Sequence, residues 1–392
     1  MRRIRRPMLA ACGALAVVLL TATCSGINER SSSAAALGAG PHRTGSLVQA
    51  DALGNTVIGG DDGTALAFRF RAAWTGSAAA ARFYVIKNTS ERSGYSSGNG
   101  GTMRVSLRAD SGRAPHRPVG PPLATATFRP ESNGVFPLLR FNHRAHIVEG
   151  RLYHVVFQNI DSQPQRNYVS INGLYSASRL GRGPAVPSGM AVLEKDRGSG
   201  WFPRRSRPHE FYLPILEIVG ARPSQRAGLG YMEVWDPKPI GGDAGVRQLL
   251  RTPADRTTRV TGAWLRIKRE DGADAPLVIA LARSDGSALA SATVPPGAVP
   301  TSDAGWVHAR FSQPVSLPGG SEVTLGASAG AASSYEAFPI RKGVDYGFDT
   351  TTYFDSGYAQ FNTGDGWLGW DQWGGHDRHD SDLQFALDVA SA

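Results

Sequence analysis

Six aromatic side chains gather near the end of this 392-residue chain: Tyr353, Phe354, Tyr358, Trp367, Trp370 and Trp373. They sit among glycines, with Asp371 between them, and run into the segment GGHDRHDSD from Gly374 to Asp382. Three tryptophans spaced by three residues cannot all face one strand surface, so some of them point to solvent. The C–H faces of a sugar ring pack on an indole, and flanking carboxylates or amides take its hydroxyls, which is the chemistry of glycan contact. We therefore expect Trp370, Trp373, Tyr358 and Asp371 to bind ligand, and Trp367, which has a counterpart at Trp201, to be core.

Other clusters suggest other chemistry. His376, Asp377, His379, Asp380 and Asp382 mix imidazole, which suits zinc, with carboxylates, which suit calcium. The spacing matches no zinc motif, so the expectation here is a solvated acidic loop, with a structural calcium on Asp377, Asp380 and Asp382 as the alternative. Asp61, Asp62 and Asp243 lie beside glycines, where Asx-turns are the simpler account. Arg140, His143, Arg144, His146, Arg151 and His154 form a basic, imidazole-rich segment. Such a segment could hold an acidic polysaccharide, or serve a lyase in which a cation neutralises a uronate carboxylate and a Tyr or His moves protons. The residues assigned to that enzyme reading are Arg140, His143, His146, Tyr353 and Tyr358. No GxSxG elbow, HExxH helix, P-loop or dinucleotide fingerprint occurs.

The elements that must position these groups read as strands. Leu66, Phe68 and Phe70 alternate with small or charged residues, as do Met103, Val105 and Leu107, and again Leu277, Ile279 and Leu281. Gly, Pro, Asp and Ser bound each run, and no helical period follows the first residues. The series also repeats. Ile58 to Gly63 (IGGDDG) is answered by Ile240 to Gly245 (IGGDAG), and Leu107 to Gly112 (LRADSG) by Leu281 to Gly286 (LARSDG). Leu123 to Thr127 (LATAT) is answered by Leu289 to Thr293 (LASAT), the strand ending at Phe157 by the one ending at Ala327, and Gly200-Trp201 by Gly366-Trp367. A duplicated all-β domain follows: two tandem antiparallel β-sandwiches, 48–220 and 230–392, joined by a linker at 221–229.

This order of alternating strand, Asp/Ser-Gly turn, LATAT-like strand and Gly-Trp hairpin resembles the jelly-roll modules of secreted bacterial proteins, carbohydrate-binding modules among them. The resemblance implies a fold more than an activity. Tyr353 to Gln360 (YFDSGYAQ) is similar to the YFKAGxYxQ signature of jelly-roll alginate lyases, with Asp355 where that family has Lys.

Arg2, Arg3, Arg5 and Arg6 precede an apolar run from Met8 to Leu20, the pattern of an export signal over 1–24. That run is short of the roughly 20 residues a spanning helix needs. Cys24 resembles the acylated cysteine of bacterial lipoproteins, with Thr23 where a small residue is expected, so a membrane tether and free secretion both stay open. The Ser-, Ala- and Gly-rich stretch at 25–47 suits a flexible linker. Lys and Arg outnumber Asp and Glu by 21 to 12 over residues 48–220, whereas the counts are 15 and 20 over 221–392. An exported, Arg-rich first half points to anionic glycans or cell-wall polymers before nucleic acid. The expectation is a secreted or membrane-surface protein that binds carbohydrate without cleaving it. The alternatives are a polysaccharide lyase on a uronate-containing glycan and a structural or adhesion protein.

Overall fold

The computed structural model describes residues 43–44, 52–59, 65–86, 96–130, 136–176, 189–195, 200–204, 211–222, 225–229, 232–234, 236–330, 334–342, 357–364, 366–369 and 381–390. These residues form an all-β, sandwich-like structure of several antiparallel sheets, and the helical element among them is the single 3-10 turn Pro296–Ala298. No helix among them is long and apolar enough to cross a membrane.

The alternation that the sequence shows becomes burial. Leu66, Phe68 and Phe70 pack with Met103, Val105, Leu107, Val155 and Phe157 in one core, which also takes Phe83, Phe141, Ile147, Leu216 and Ile218 from a second sheet. Phe157 is its centre, edge-on to Phe68 at 5.1 Å and to Phe83 at 4.8 Å. A separate core is built on Leu277, Ile279, Leu281, Val246, Leu325 and Phe361, with Leu265, Val307 and Phe385 supplied by a facing sheet.

Two six-stranded sheets correspond strand for strand. The first runs Trp201–Pro203, Ala191–Lys195, Ala65–Arg71, Leu152–Asn159, Met103–Asp110, Pro118–Phe128. The second runs Trp367–Leu368, Ala359–Thr363, Ala244–Arg251, Glu322–Ala329, Leu277–Arg283, Ala288–Val294. The paired sequence segments found above therefore occupy like places. Leu66 faces Phe157 across its ladder as Val246 faces Ala327, and Ala67 faces Leu193 as Arg247 faces Gln360.

One loop cluster closes the end of the first core. Asn159 donates from Nδ2 to the carbonyls of Ile58 (3.2 Å) and Asn167 (2.7 Å), and its Oδ1 accepts the backbone N–H of Asp161 at 3.0 Å. One amide thus joins the ends of three segments. Asn159→Ala strands these groups together, and a loss of about 1–3 kcal/mol in urea unfolding is expected.

Candidate functional site

The outward face of the second six-stranded sheet brings together an exposed indole, a guanidinium and small side chains. Val246, Phe361 and Leu325 turn inward, so the alternating neighbours Gly245, Arg247, Gln360, Asn362, Thr324, Gly326 and Ala280 turn outward. Most of this face is small, and it remains partly open to solvent. Trp367 stands at its edge, in register with Asn362.

The local sequence explains that position. Asn362 Oδ1 accepts the backbone N–H groups of Gly364 (2.9 Å) and Gly366 (3.2 Å), closing a tight turn. Both glycines have φ near +110°, a region that side chains resist, so the turn depends on them. The chain then folds back for two residues, Trp367 and Leu368, and the period of two sends the indole out over the face. It rests above Gly245, where an added Cβ would lie 3.3 Å from the ring.

Arg247 locks the arrangement. Its Cζ lies 4.3 Å from the centre of the Trp367 ring, and its Nε donates to Gln360 Oε1 at 2.7 Å. Partial burial draws the guanidinium below its ordinary range, while the nearby Tyr358 hydroxyl opposes the shift. Trp367 itself is 39 % exposed. The result is a fixed indole and a fixed cation beside a shallow surface of small side chains, an arrangement suited to holding a sugar ring and its polar substituents.

The equivalent positions of the first sheet are built differently. Ala67, Val156, Leu193 and Trp201 occupy the register places of Arg247, Gly326, Gln360 and Trp367, and they make a small apolar cluster. Ala67, Val156 and Leu193 are buried. Further along the same outward face lies a polar network that single-strand patterns did not reveal. His154 donates from Nε2 to Asp110 Oδ2 at 2.9 Å, and His116 Nδ1 meets Asp110 Oδ1 at 2.7 Å. Arg69 and Arg108 flank His154 in register, and the backbone N–H of Gly112 also reaches Asp110 Oδ1 at 2.7 Å.

Burial sets the charges in this network. His154 has no exposed surface, and desolvation lowers it from 6.5 to about 4 against the opposing pull of Asp110. It is therefore neutral near pH 7, with the proton on Nε2 and a buried Nδ1 that has no hydrogen-bond partner among the described residues. Burial alone would raise Asp110, but hydrogen bonds from His154, His116 and Gly112 outweigh it and hold the carboxyl below its usual range.

The residues expected from sequence fall as follows. Arg140, His143 and His146 are exposed on the strand Leu138–Ile147, which belongs to a different sheet from the one beside Tyr358. His143 Nε2 is engaged by the carbonyl of Leu123 at 2.7 Å. Tyr358 is partly buried and its carbonyl accepts the N–H of Leu249 at 2.8 Å. Asp382 is not in a solvated loop. It is buried on the strand Ser381–Leu383 and accepts Gln248 Nε2 at 2.7 Å. Among the described residues no group of three His, Cys, Asp or Glu is placed to hold a metal ion. Asp243 is exposed in the turn closed between Gly241 and Ala244. Tyr353, Trp370, Asp371, Trp373, Asp377, Asp380, Cys24, Asp61 and Asp62 lie outside the described residues.

One expectation is corrected: Trp367 is not core. A two-residue strand carries no alternation from which to read its phase, and here Leu368 takes the place in register with buried Phe361. No family model matches this chain, and no curated protein matches it in sequence.

Proposed function

We propose that the chain is an exported pair of tandem jelly-roll-like β-sandwiches, 48–220 and 230–392, whose second member binds carbohydrate without cleaving it. The observation that carries this reading is the exposed Trp367, held by Arg247 and Gln360 on an open sheet face. In sequence this strand is followed by Trp370, Asp371 and Trp373, residue types that the same reading assigns to sugar contact. Among the described residues that face carries one acid, Glu322, in register with Arg251, so it offers no carboxylate pair for acid–base cleavage. Export through 1–24 places the protein outside the membrane, released or tethered through Cys24, where cell-wall or other polysaccharides are its partners. Asp377 and Asp380 would, in the same reading, take a structural calcium.

Affinity electrophoresis of the full chain through gels containing a panel of plant and bacterial polysaccharides tests the reading. Retardation by at least one polymer is expected, and Trp367→Ala should weaken it by about 30-fold, near 2 kcal/mol for loss of a central aromatic anchor. Equal retardation of wild type and variant would remove the assignment.

The Asp110–His116 contact favours a second reading. A carboxylate orients an imidazole that is about one-third exposed (35 %), the arrangement of a general base. A uronate lyase in this chain would centre there, beside Arg69, rather than on Arg140, His143 and His146. Ultraviolet absorbance from unsaturated sugar product, abolished in His116→Ala, would establish it; a flat trace on alginate, hyaluronan and pectate would end it.

A further inference from the structure

We infer that the Trp367 site selects acidic sugars, with Arg247 receiving a uronate carboxylate while the indole carries the ring; this rests on the carbohydrate-binding reading. Arg247 leaves part of its donor capacity unused. Its Nε is committed to Gln360 Oε1 and its cationic carbon is seated against Trp367. Among the described residues, neither of its Nη groups has a hydrogen-bond or ion-pair partner. A guanidinium fixed by one edge and by its contact with a ring presents its remaining N–H groups in a set direction. That fork matches the two oxygens of a carboxylate, and the match is strongest when the cation is already immobilised and partly stripped of water.

The surroundings keep this edge available. Gly326 is the outward neighbour of Arg247 on one side and has no side chain to fold over it. Gln360, on the other side, spends its carbonyl oxygen on Nε and leaves its amide nitrogen for a ring hydroxyl. Glu322 is the one acid that the described strands place on this face, and it stands opposite Arg251 rather than Arg247. No protein carboxylate on the described face therefore competes for the fork.

Bulk charge does not account for such a preference. Residues 221–392 carry 20 acids against 15 bases, so a polyanion meets mild repulsion at long range, screened beyond about 8 Å at physiological salt. Selectivity for an acid must then arise at contact, and at one named side chain.

The test compares two polymers of the same backbone, polygalacturonate and its carboxyl-reduced neutral form, by titration calorimetry on the full chain. Wild type is expected to bind the acidic polymer about tenfold tighter or more. Arg247→Gln should bring that ratio close to one, whatever it costs in affinity for both polymers through the loosened indole, and Arg247→Lys should recover only part of the preference because it lacks the fork. Trp367→Ala should weaken both polymers by a similar factor. A wild-type ratio near one, or a ratio that survives Arg247→Gln, overturns the inference and leaves carbohydrate binding standing. Binding of neither polymer by wild type, with no retardation across the wider polysaccharide panel, overturns both.

Discussion

Phe157→Ala is expected to lower the stability of one half of the protein by about 3–5 kcal/mol and leave the other half unmoved. Phe157 is fully buried and meets Phe68 and Phe83 edge-on, one from its own sheet and one from the sheet opposite. Alanine would remove the ring that joins the two layers, and neighbours anchored in paired strands can collapse only partly into the space. All members of this core lie between Ile58 and Ile218, whereas the other core spans Ile240 to Leu387. Two such cores should melt as two transitions in scanning calorimetry. The substitution should move one of them down by on the order of 10 °C. A single transition that shifts as a whole would show that the halves unfold together, against the tandem-domain reading.

Acid should unfold the first half in a window set by His154. Burial depresses this group from 6.5 in the unfolded chain to about 4 in the folded one. Between those values the unfolded chain binds the proton that the folded chain refuses, so stability rises with pH across the window. Its contribution is complete above pH 6.5 and is lost as pH falls towards 4, a change of roughly 3 kcal/mol at 1.36 kcal/mol per unit. Asp110 is depressed as well, but its stabilisation is lost only below the ordinary carboxylate range, so the two effects separate. Urea unfolding at a series of pH values should show this slope in wild type. His154→Gln, which can still offer a donor to Asp110 and does not titrate, should flatten it; an unchanged slope would place the acid sensitivity elsewhere.

Fold class was legible because alternation and burial are the same fact seen twice. Leu66, Phe68 and Phe70, or Leu277, Ile279 and Leu281, could be assigned to a core from spacing alone, and each is buried. The site was legible in kind but not in place. Tryptophan in a Gly-rich stretch points to exposed indole, yet the match of Trp367 with Trp201 suggests a shared structural role and an inward ring. The match is real in register, and both rings lie on outward faces; what differs is what surrounds them. The Asp110–His154 contact joins residues 44 apart and depends on which strands are neighbours, which no local pattern encodes. An outward-facing histidine in an otherwise apolar strand, His154 in LYHVVF, was the available signal.

The contrast between Ala67, Val156, Leu193 and Trp201 on one sheet and Arg247, Gly326, Gln360 and Trp367 on the other has a consequence for valency. A duplicated binder ordinarily gains by gripping a polymer twice, since the second contact forms at the high effective concentration that the linker provides. Here the counterpart face is closed by its own apolar cluster, so among the described residues the proposed site has no twin on the first sheet. If the proposed carbohydrate binding holds, such a protein would decorate a polysaccharide one chain at a time and would not cross-link strands. Any avidity would then come from the density of molecules along the polymer.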